Sequence, residues 1–390
     1  MAASRERIRL RDTTLREGLQ IPGSRALGEG ARRFVELLDE LGVPEVEIGL
    51  PDGIDACADL ARFIRQRGLR IEPSALVPCY GTGWRRQLGL AADCGLRVDV
   101  LAPVSDCLLV EAEHYGLAAE EILPRLSEVL ADAAGQGVPA GAALMDACRA
   151  PRPRLLELVK ALADSGAAQV VIYDSVGTML PWRMWELVDA IRQVSSVPIL
   201  VHCHNDHGMA TANTLAALEA GAAAADVAVN GLGGRAGNAA LEEVVMALER
   251  LCGRETGVNT RRLRELSGHV EEMTGLRNSA LKPIVGRYCF AHAPVMHIRC
   301  IAGGNHEAFE PFEPELVGTE RSYAFCLPVD YAAALEPFLR KAAVHLDPDR
   351  AAALLARLRE ELDVTEVEIL RCIDQLRGEA NVDVAGPDSV

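Results

Sequence analysis

The residues of this chain best suited to chemistry are His202-Cys203-His204, followed by Asn205 and Asp206, together with Arg16-Glu17 far upstream. In an extended strand alternate side chains share a face, so His202 and His204 point together while Cys203 points away. Two imidazoles on one face are half of a metal site, although the pair alone is equally consistent with ordinary strand-end histidines. The preceding run Val197-Pro198-Ile199-Leu200-Val201 is apolar and β-branched, and Gly208, Ala210 and Ala212 open a helix-forming stretch. The pair therefore sits where a strand ends and a loop begins, which is where α/β enzymes place their chemistry.

The elements that must hold these residues repeat one rhythm over the first two thirds of the chain: a short β-branched run, a turn, then a helix rich in Ala, Leu, Glu and Arg. The pattern predicts strands at Ile8–Leu15, Val46–Leu50, Arg70–Val77, Val98–Ala102, Val138–Leu144, Gln169–Asp174, Ile199–His204 and Ala225–Asn230. Amphipathic segments such as Gly30–Leu41, Leu155–Ala163 and Asn213–Ala220 lie between them, most ending near glycine, as helix C-termini prefer. Eight parallel βα units close a barrel, and Arg16, Glu17, Glu47, Asp174, His202, His204 and Asn238 would converge at the carboxyl ends of its strands. A doubly wound open sheet would want a glycine-rich phosphate turn after the first strand, and Thr13-Thr14-Leu15-Arg16 is not one. After about Cys252 the rhythm gives way to a charged helical stretch (Thr260–Met273), an irregular Gly-, His- and Pro-rich segment (Lys282–Gly318), and helical segments near Tyr331–Leu346 and Asp349–Leu376. The expected division is a barrel over 1–258, a linker or lid over 259–320 and a small helical region over 321–390, with the last dozen residues frayed.

Composition narrows the class of function. The chain has 390 residues, 49% of them hydrophobic and 25% charged, as in a globular protein with a well-filled core. A net charge of −16 argues against nucleic acid as a partner, because a phosphate-binding surface needs basic excess. No run of apolar residues is long enough to cross a membrane, and the charged start (Arg5, Glu6, Arg7, Arg9) is unlike a signal peptide, so the expected location is cytoplasmic. The 11 cysteines have no paired spacing and fall mostly in apolar runs, which suits reduced thiols.

Three segments carry a resemblance. Arg11-Asp12-Thr13-Thr14-Leu15-Arg16-Glu17-Gly18, then His202-Cys203-His204-Asn205-Asp206, then Gly231-Leu232-Gly233-Gly234-Arg235-Ala236-Gly237-Asn238-Ala239 are similar to the signatures of the isopropylmalate, homocitrate and citramalate synthase family, the DRE-TIM metallolyases. The likeness continues through Lys282–Gly286 and Glu313–Gly318. It implies a TIM (β/α)8 barrel with a mostly helical C-terminal extension, a divalent metal, and condensation of acetyl-CoA with a 2-oxo acid to a 2-hydroxy di- or tricarboxylic acid. Matched motif by motif, it implies Glu17, His202 and His204 as metal ligands, with Asn238 as a fourth contact. The expected cation is Mg or Mn, and carboxylate and imidazole donors also accept Zn or Co. Arg16 is then placed to stabilise the developing alkoxide. The family's base, a histidine beyond the barrel, corresponds to His297, and Glu47 matches an acidic position that orients water or the base. Ser175, in Asp174-Ser175-Val176-Gly177, matches a hydroxyl that touches the substrate carboxylate. Gln20 and Asn205 are adjacent to ligands and expected beside metal and substrate. The segment Arg287–Gly318 is expected to be a lid that carries His297 into the site of a partner subunit, making a homodimer.

Departures from the family bear on substrate. The Ala140–Asp146 region lacks the arginine by which homocitrate synthases hold a distal carboxylate, Leu200 and Leu19 replace polar residues, and Phe309 stands where a tyrosine is expected. The roughly 70 residues after Arg321 leave no room for the large regulatory domain of feedback-inhibited relatives. Two other readings compete. Arg16-Glu17-Gly18-Leu19-Gln20 also resembles hydroxymethylglutaryl-CoA lyase, yet that enzyme has a cysteine-bearing loop where this chain has Arg235-Ala236-Gly237-Asn238. A non-catalytic barrel that merely keeps the fold is the third, and intact metal ligands argue against it.

Overall fold

The computed structural model describes residues 7–23, 30–49, 54–81, 83–326, 331–361 and 363–378. Its eight parallel strands close into a barrel: β1 (Arg9–Asp12), β2 (Glu45–Glu47), β3 (Glu72–Pro78), β4 (Arg97–Pro103), β5 (Ala140–Met145), β6 (Val170–Asp174), β7 (Ile199–Cys203) and β8 (Ala224–Val227). The ring shuts where β1 pairs with β8, with Arg11 opposite Asp226 and Asp12 opposite Val227. Alternation along each strand sends one set of side chains toward the surrounding helices and the other into the barrel. Leu76, Leu101, Ala143, Val171, Tyr173, Leu200 and Ala224 form one buried cluster of the inner set.

The strands match the expected eight in number and order, with bounds that differ by up to three residues, the expected Leu50 lying outside the described residues; three ends have a local cause. The first stops at Asp12 instead of running to Leu15, because the Asp12 carboxylate accepts the Thr14 backbone N–H at 3.0 Å and the Thr14 hydroxyl at 2.8 Å. That turn opens the short helix Thr14–Gly18. The seventh ends at Cys203, and His204 makes an isolated antiparallel bridge to Asn238. The eighth ends at Val227 and not at Asn230, whose φ of 62° belongs to a turn.

Contacts divide the chain into two compact units, Met1–Arg277 and Asn278–Val390. The helix Leu263–Thr274, expected from the sequence to lie outside the barrel, packs on Ala31–Leu41 and belongs to the first unit. Asn230 Nδ2 donates to the Ser267 carbonyl at 3.1 Å, fixing it there. The expected linker or lid is no separate region beyond residue 278, because it shares one core with the C-terminal helices. Ile298 and Ile301 are buried with Tyr323, Phe325, Leu335, Phe338 and Ile373, and β9 (Ala291–His292) pairs with β10 (Ser322–Tyr323). Three helices complete this unit where two were expected: Ala332–Lys341, Pro348–Leu358 and Glu366–Gly378. The break before the last arises because Val364 exchanges both backbone hydrogen bonds with Tyr323, at 2.8 Å each. Thr365 and Glu368 then form a capping box that restarts the helix. The expected frayed terminus lies outside the described residues. No helix among the described residues is long and apolar enough to cross a membrane.

Candidate metal centre

Three buried side chains meet at the carboxyl ends of β1 and β7. Glu17 stands on the helix that the Asp12 turn creates, while His202 and His204 stand at the end of β7, and their ligand atoms lie within 4.8 Å of one another. Glu17 Oε1 is 3.5 Å from His202 Nε2. The turn is tied to the far side of the barrel: the Thr14 hydroxyl oxygen also accepts the Val229 N–H at 2.8 Å. The loop after β8 closes over the ligands, since Asn205 N–H donates to Gly237 O at 2.9 Å and Asn238 N–H to Gly231 O at 3.0 Å. Gly233 is required in that loop. A Cβ there would come to 2.2 Å from Asn238 Nδ2 and 2.9 Å from Glu17 Oε2.

Electrostatics prepare these donors. His202 Nδ1 faces Asp226 Oδ2 at 2.8 Å, and Asp226 in turn receives Arg11 Nε at 2.6 Å and Nη2 at 3.0 Å. A carboxylate only accepts, so the His202 proton sits on Nδ1 and Nε2 presents its lone pair. Burial opposes the Asp226 charge, but Arg11 and His202 outweigh it and hold that carboxyl below the usual range. Burial likewise penalises the Glu17 anion, yet Arg16 and the two histidines bring it down to about 2. Burial and the neighbouring His202 push His204 down to about 4, which leaves it neutral and able to ligate.

The fit to a cation can be judged from what these donors lack. His202 Nε2, His204 Nδ1 and Asn238 Oδ1 are buried without any hydrogen-bond partner. Buried polar atoms are normally paired, so three such acceptors around one carboxylate match a cation's donor set. Asn238 keeps its own amide in place by donating Nδ2 to Leu232 O at 3.1 Å.

The other expected residues divide between the metal centre, the loops beside it and the second unit. Arg16 Nε donates to Glu47 Oε2 at 2.6 Å, and its Nη1 pairs with Glu17, while Nη2 is buried without a partner. Glu47 ends β2 fully buried, and burial pushes its carboxyl up against the pull of Arg16 and Arg11. Gln20 Nε2 donates to Glu17 Oε1 at 3.1 Å. The Ser175 hydroxyl oxygen accepts the Asp146 N–H at 2.8 Å, and Asn205 Oδ1 accepts the N–H of Ala210, the first residue of the next helix, at 3.1 Å. His297 lies in the second unit, on helix Val295–Ala302, stacked on Phe309 with ring centroids 3.7 Å apart. Two site residues are missing from the sequence-based set. Asp226 was signalled by a lone acid in the apolar run Ala222–Val229, and Tyr173 by an aromatic hydroxyl one residue before a strand-end aspartate. The Tyr173 ring stacks on His202 at 4.4 Å.

Comparison with known proteins shows the family of the chain. Residues 7–270 match the model of the HMGL-like family. A probable 2-isopropylmalate synthase of Methanopyrus kandleri is 40% identical over 316 residues, covering 81% of this chain and 62% of that protein's own length. From the same organism, homocitrate synthase AksA is 37% identical over 80% of this chain and 77% of its own. A putative (R)-citramalate synthase, CimA, is 34% identical over 96% of this chain and 73% of its own. Among solved structures, the HMG-CoA lyase of Bacillus subtilis superposes with a TM-score of 0.62 at 24% identity, covering 72% of this chain and 97% of that one, which speaks for the fold alone.

Proposed function

Since the chain belongs to the HMGL-like family of metal-dependent barrel enzymes, we propose that it condenses acetyl-CoA with a 2-oxo acid, releasing free CoA and a 2-hydroxy dicarboxylic or tricarboxylic acid. The observation that carries this reading is the buried Glu17, His202 and His204 set with His202 Nε2 unpartnered. These three residues, with Asn238 Oδ1, would hold a divalent cation, which we take to be Mg or Mn. Bound there, the cation would polarise a keto oxygen as a Lewis acid.

The protein's own groups do the rest. Arg16 has one uncommitted nitrogen, Nη2, which donates to the oxygen that gains negative charge as the keto carbon is attacked. Glu47 holds Arg16 by its Nε and leaves that nitrogen facing the reaction. We assign removal of the thioester methyl proton to His297, on the motif it occupies. The new bond joins the thioester methyl carbon to the keto carbon; water then breaks the carbon–sulfur bond, giving a carboxylate, the CoA thiol and a proton.

Relatives named as synthases at 34–40% identity outweigh the fold-level likeness to lyases. The test is thiol release from acetyl-CoA that depends on both a 2-oxo acid and an added cation, screened over Mg, Mn, Zn and Co. Thiol appearing from hydroxymethylglutaryl-CoA instead would favour the lyase, and no turnover with metal bound would favour the non-catalytic barrel. For the base and the homodimer, inactive His202→Ala and His297→Ala proteins are mixed under conditions of subunit exchange. Partial recovery supports both assignments; a dead mixture with His297→Ala active by itself rejects them.

A further inference from the structure

The inner wall of the barrel is divided. On β1, β2, β7 and β8 it carries Arg11, Glu45, Glu47, His202 and Asp226, all buried. On β3 to β6 it carries Leu76, Leu101, Ala143, Val171 and Tyr173, with Met145 packed against them, while Asp99, two residues before Leu101 on β4, turns to Arg11. A small molecule held by Glu17, His202 and His204 and faced by Arg16 would have its remaining atoms beside Tyr173, which stacks on His202, and the apolar cluster that Tyr173 belongs to. Stretches 76–78, 100–103, 143–145 and 171–173 contain no lysine, arginine or histidine.

A second carboxylate on the substrate would need a cation there, because a buried charge is tolerated only when paired. The charged side chains beside the site are already paired with carboxylates, and the uncommitted Arg16 Nη2 is the one assigned to the keto oxygen. Arg11 is bound by Asp226 and Asp99, and Arg16 by Glu17 and Glu47. At the rim, Arg149 is held by Asp146 at 2.7 Å and Arg235 by Asp206 at 2.7 Å. Within the apolar wall one polar atom stands out: the Tyr173 hydroxyl, on a residue 4% exposed, has no hydrogen-bond partner. Its ring lies flat on His202, so the hydroxyl belongs to the rim of the metal centre. Buried donors without partners are rare in finished proteins, and a ligand oxygen supplies the missing one.

We propose that the 2-oxo acid accepted here has a short, uncharged side chain, that Leu76, Leu101 and Met145 receive that chain, and that Tyr173 limits its length and hydrogen-bonds the bound acid. This rests on the condensation reading and narrows its product to 2-hydroxy dicarboxylic acids. Tyr173 is therefore a specificity-determining residue.

Two measurements test it on the full chain loaded with Mn. The first is calorimetric titration, without acetyl-CoA, with straight-chain 2-oxo monocarboxylic acids of three to six carbons and with five- and six-carbon 2-oxo dicarboxylic acids. The second is kcat/KM for thiol release with the same panel. The expected order favours three- and four-carbon monocarboxylic acids over the dicarboxylic ones by about 10²-fold, as befits a buried unpaired charge. Tyr173→Ala should shift the preference toward longer chains by about 10-fold, and Tyr173→Phe should keep the length preference while raising KM across the panel. Equal or tighter binding of the dicarboxylic acids, or no binding of any acid, overturns the proposal, and the wild-type protein alone decides that. Binding in the expected order with no thiol release from any acid leaves the proposal standing and overturns the condensation reading.

Discussion

Two halves of one barrel interior have been given opposite characters. The half on β1, β2, β7 and β8 buries a chain of charge that reaches across to Asp99 on β4: Asp99 to Arg11, Arg11 to Asp226, Asp226 to His202, and His202 beside Glu17 and Arg16. Beyond Asp99, the stretch of β3 to β6 nearer the carboxyl ends is apolar apart from the Tyr173 phenol. Stability does not explain the charged half, since a buried ion pair is often no better than well-packed apolar residues of the same volume. What the charged half supplies is orientation: each group fixes the proton or lone pair of the next, and the last free lone pair faces the place where a cation fits. The apolar half supplies volume and excludes water.

Breaking the charged half at its end has the largest expected effect. His202→Ala or His204→Ala removes one of three protein ligands, so metal affinity should fall by more than about 10²-fold and turnover should vanish, with far-UV circular dichroism unchanged. Metal content after dialysis is the direct readout, and full metal occupancy in both variants would remove the metal assignment. Next comes Arg16→Lys, which keeps the charge but loses the planar fork shared between Glu17, Glu47 and the free Nη2. Its kcat should drop by about 10²-fold while 2-oxo acid binding changes little. A kcat near wild type would make Arg16 structural.

Asp226→Asn tests the middle of the chain. It weakens the hold on His202 and leaves Arg11 with less compensation, so metal affinity should fall by about 10- to 100-fold and stability by about 3 kcal/mol. A stability loss without any change in metal affinity would show that Asp226 serves Arg11 alone. The smallest effect is expected at a surface counterpart. Arg262 pairs with Glu40 and Glu265 at 2.6 and 2.7 Å, but all three are solvent-accessible. Arg262→Ala should cost less than about 1 kcal/mol in chemical denaturation and leave metal affinity untouched. A larger loss would mean that burial is not what separates the two networks.

The sequence carried the strand count and the convergence of Glu17, Glu47 and the two histidines, because strand alternation and the periodic rhythm are local signals. It misled at the end of the first strand: Thr13-Thr14-Leu15 looks extended by residue type, and the helix there depends on Asp12 bonding back to Thr14. The break between Leu358 and Glu366 was hidden for a different reason, since it is imposed by pairing of Val364 with the distant Tyr323. Asp226 and Tyr173 look like ordinary members of apolar strands, and only the pairing of β6 and β8 with β7 brings them onto His202. Ser175 and Asn205 were legible as strand-end polar residues, but their partners, Asp146 and Ala210, are set by tertiary loop geometry.

The pairing of the first strand with the eighth also has a consequence for order in time. Arg11 meets Asp226 across 215 residues of chain, and the same closure brings Glu17 to the histidines. On the ribosome, a nascent chain that has not yet delivered β7 and β8 has no cation site at all, however well its early strands and helices have formed. Such long-range closure is the slow part of folding, because its loop entropy must be met before any of its contacts exist. Uptake of the proposed cation would therefore be a late event in the life of each molecule, following completion of the ring.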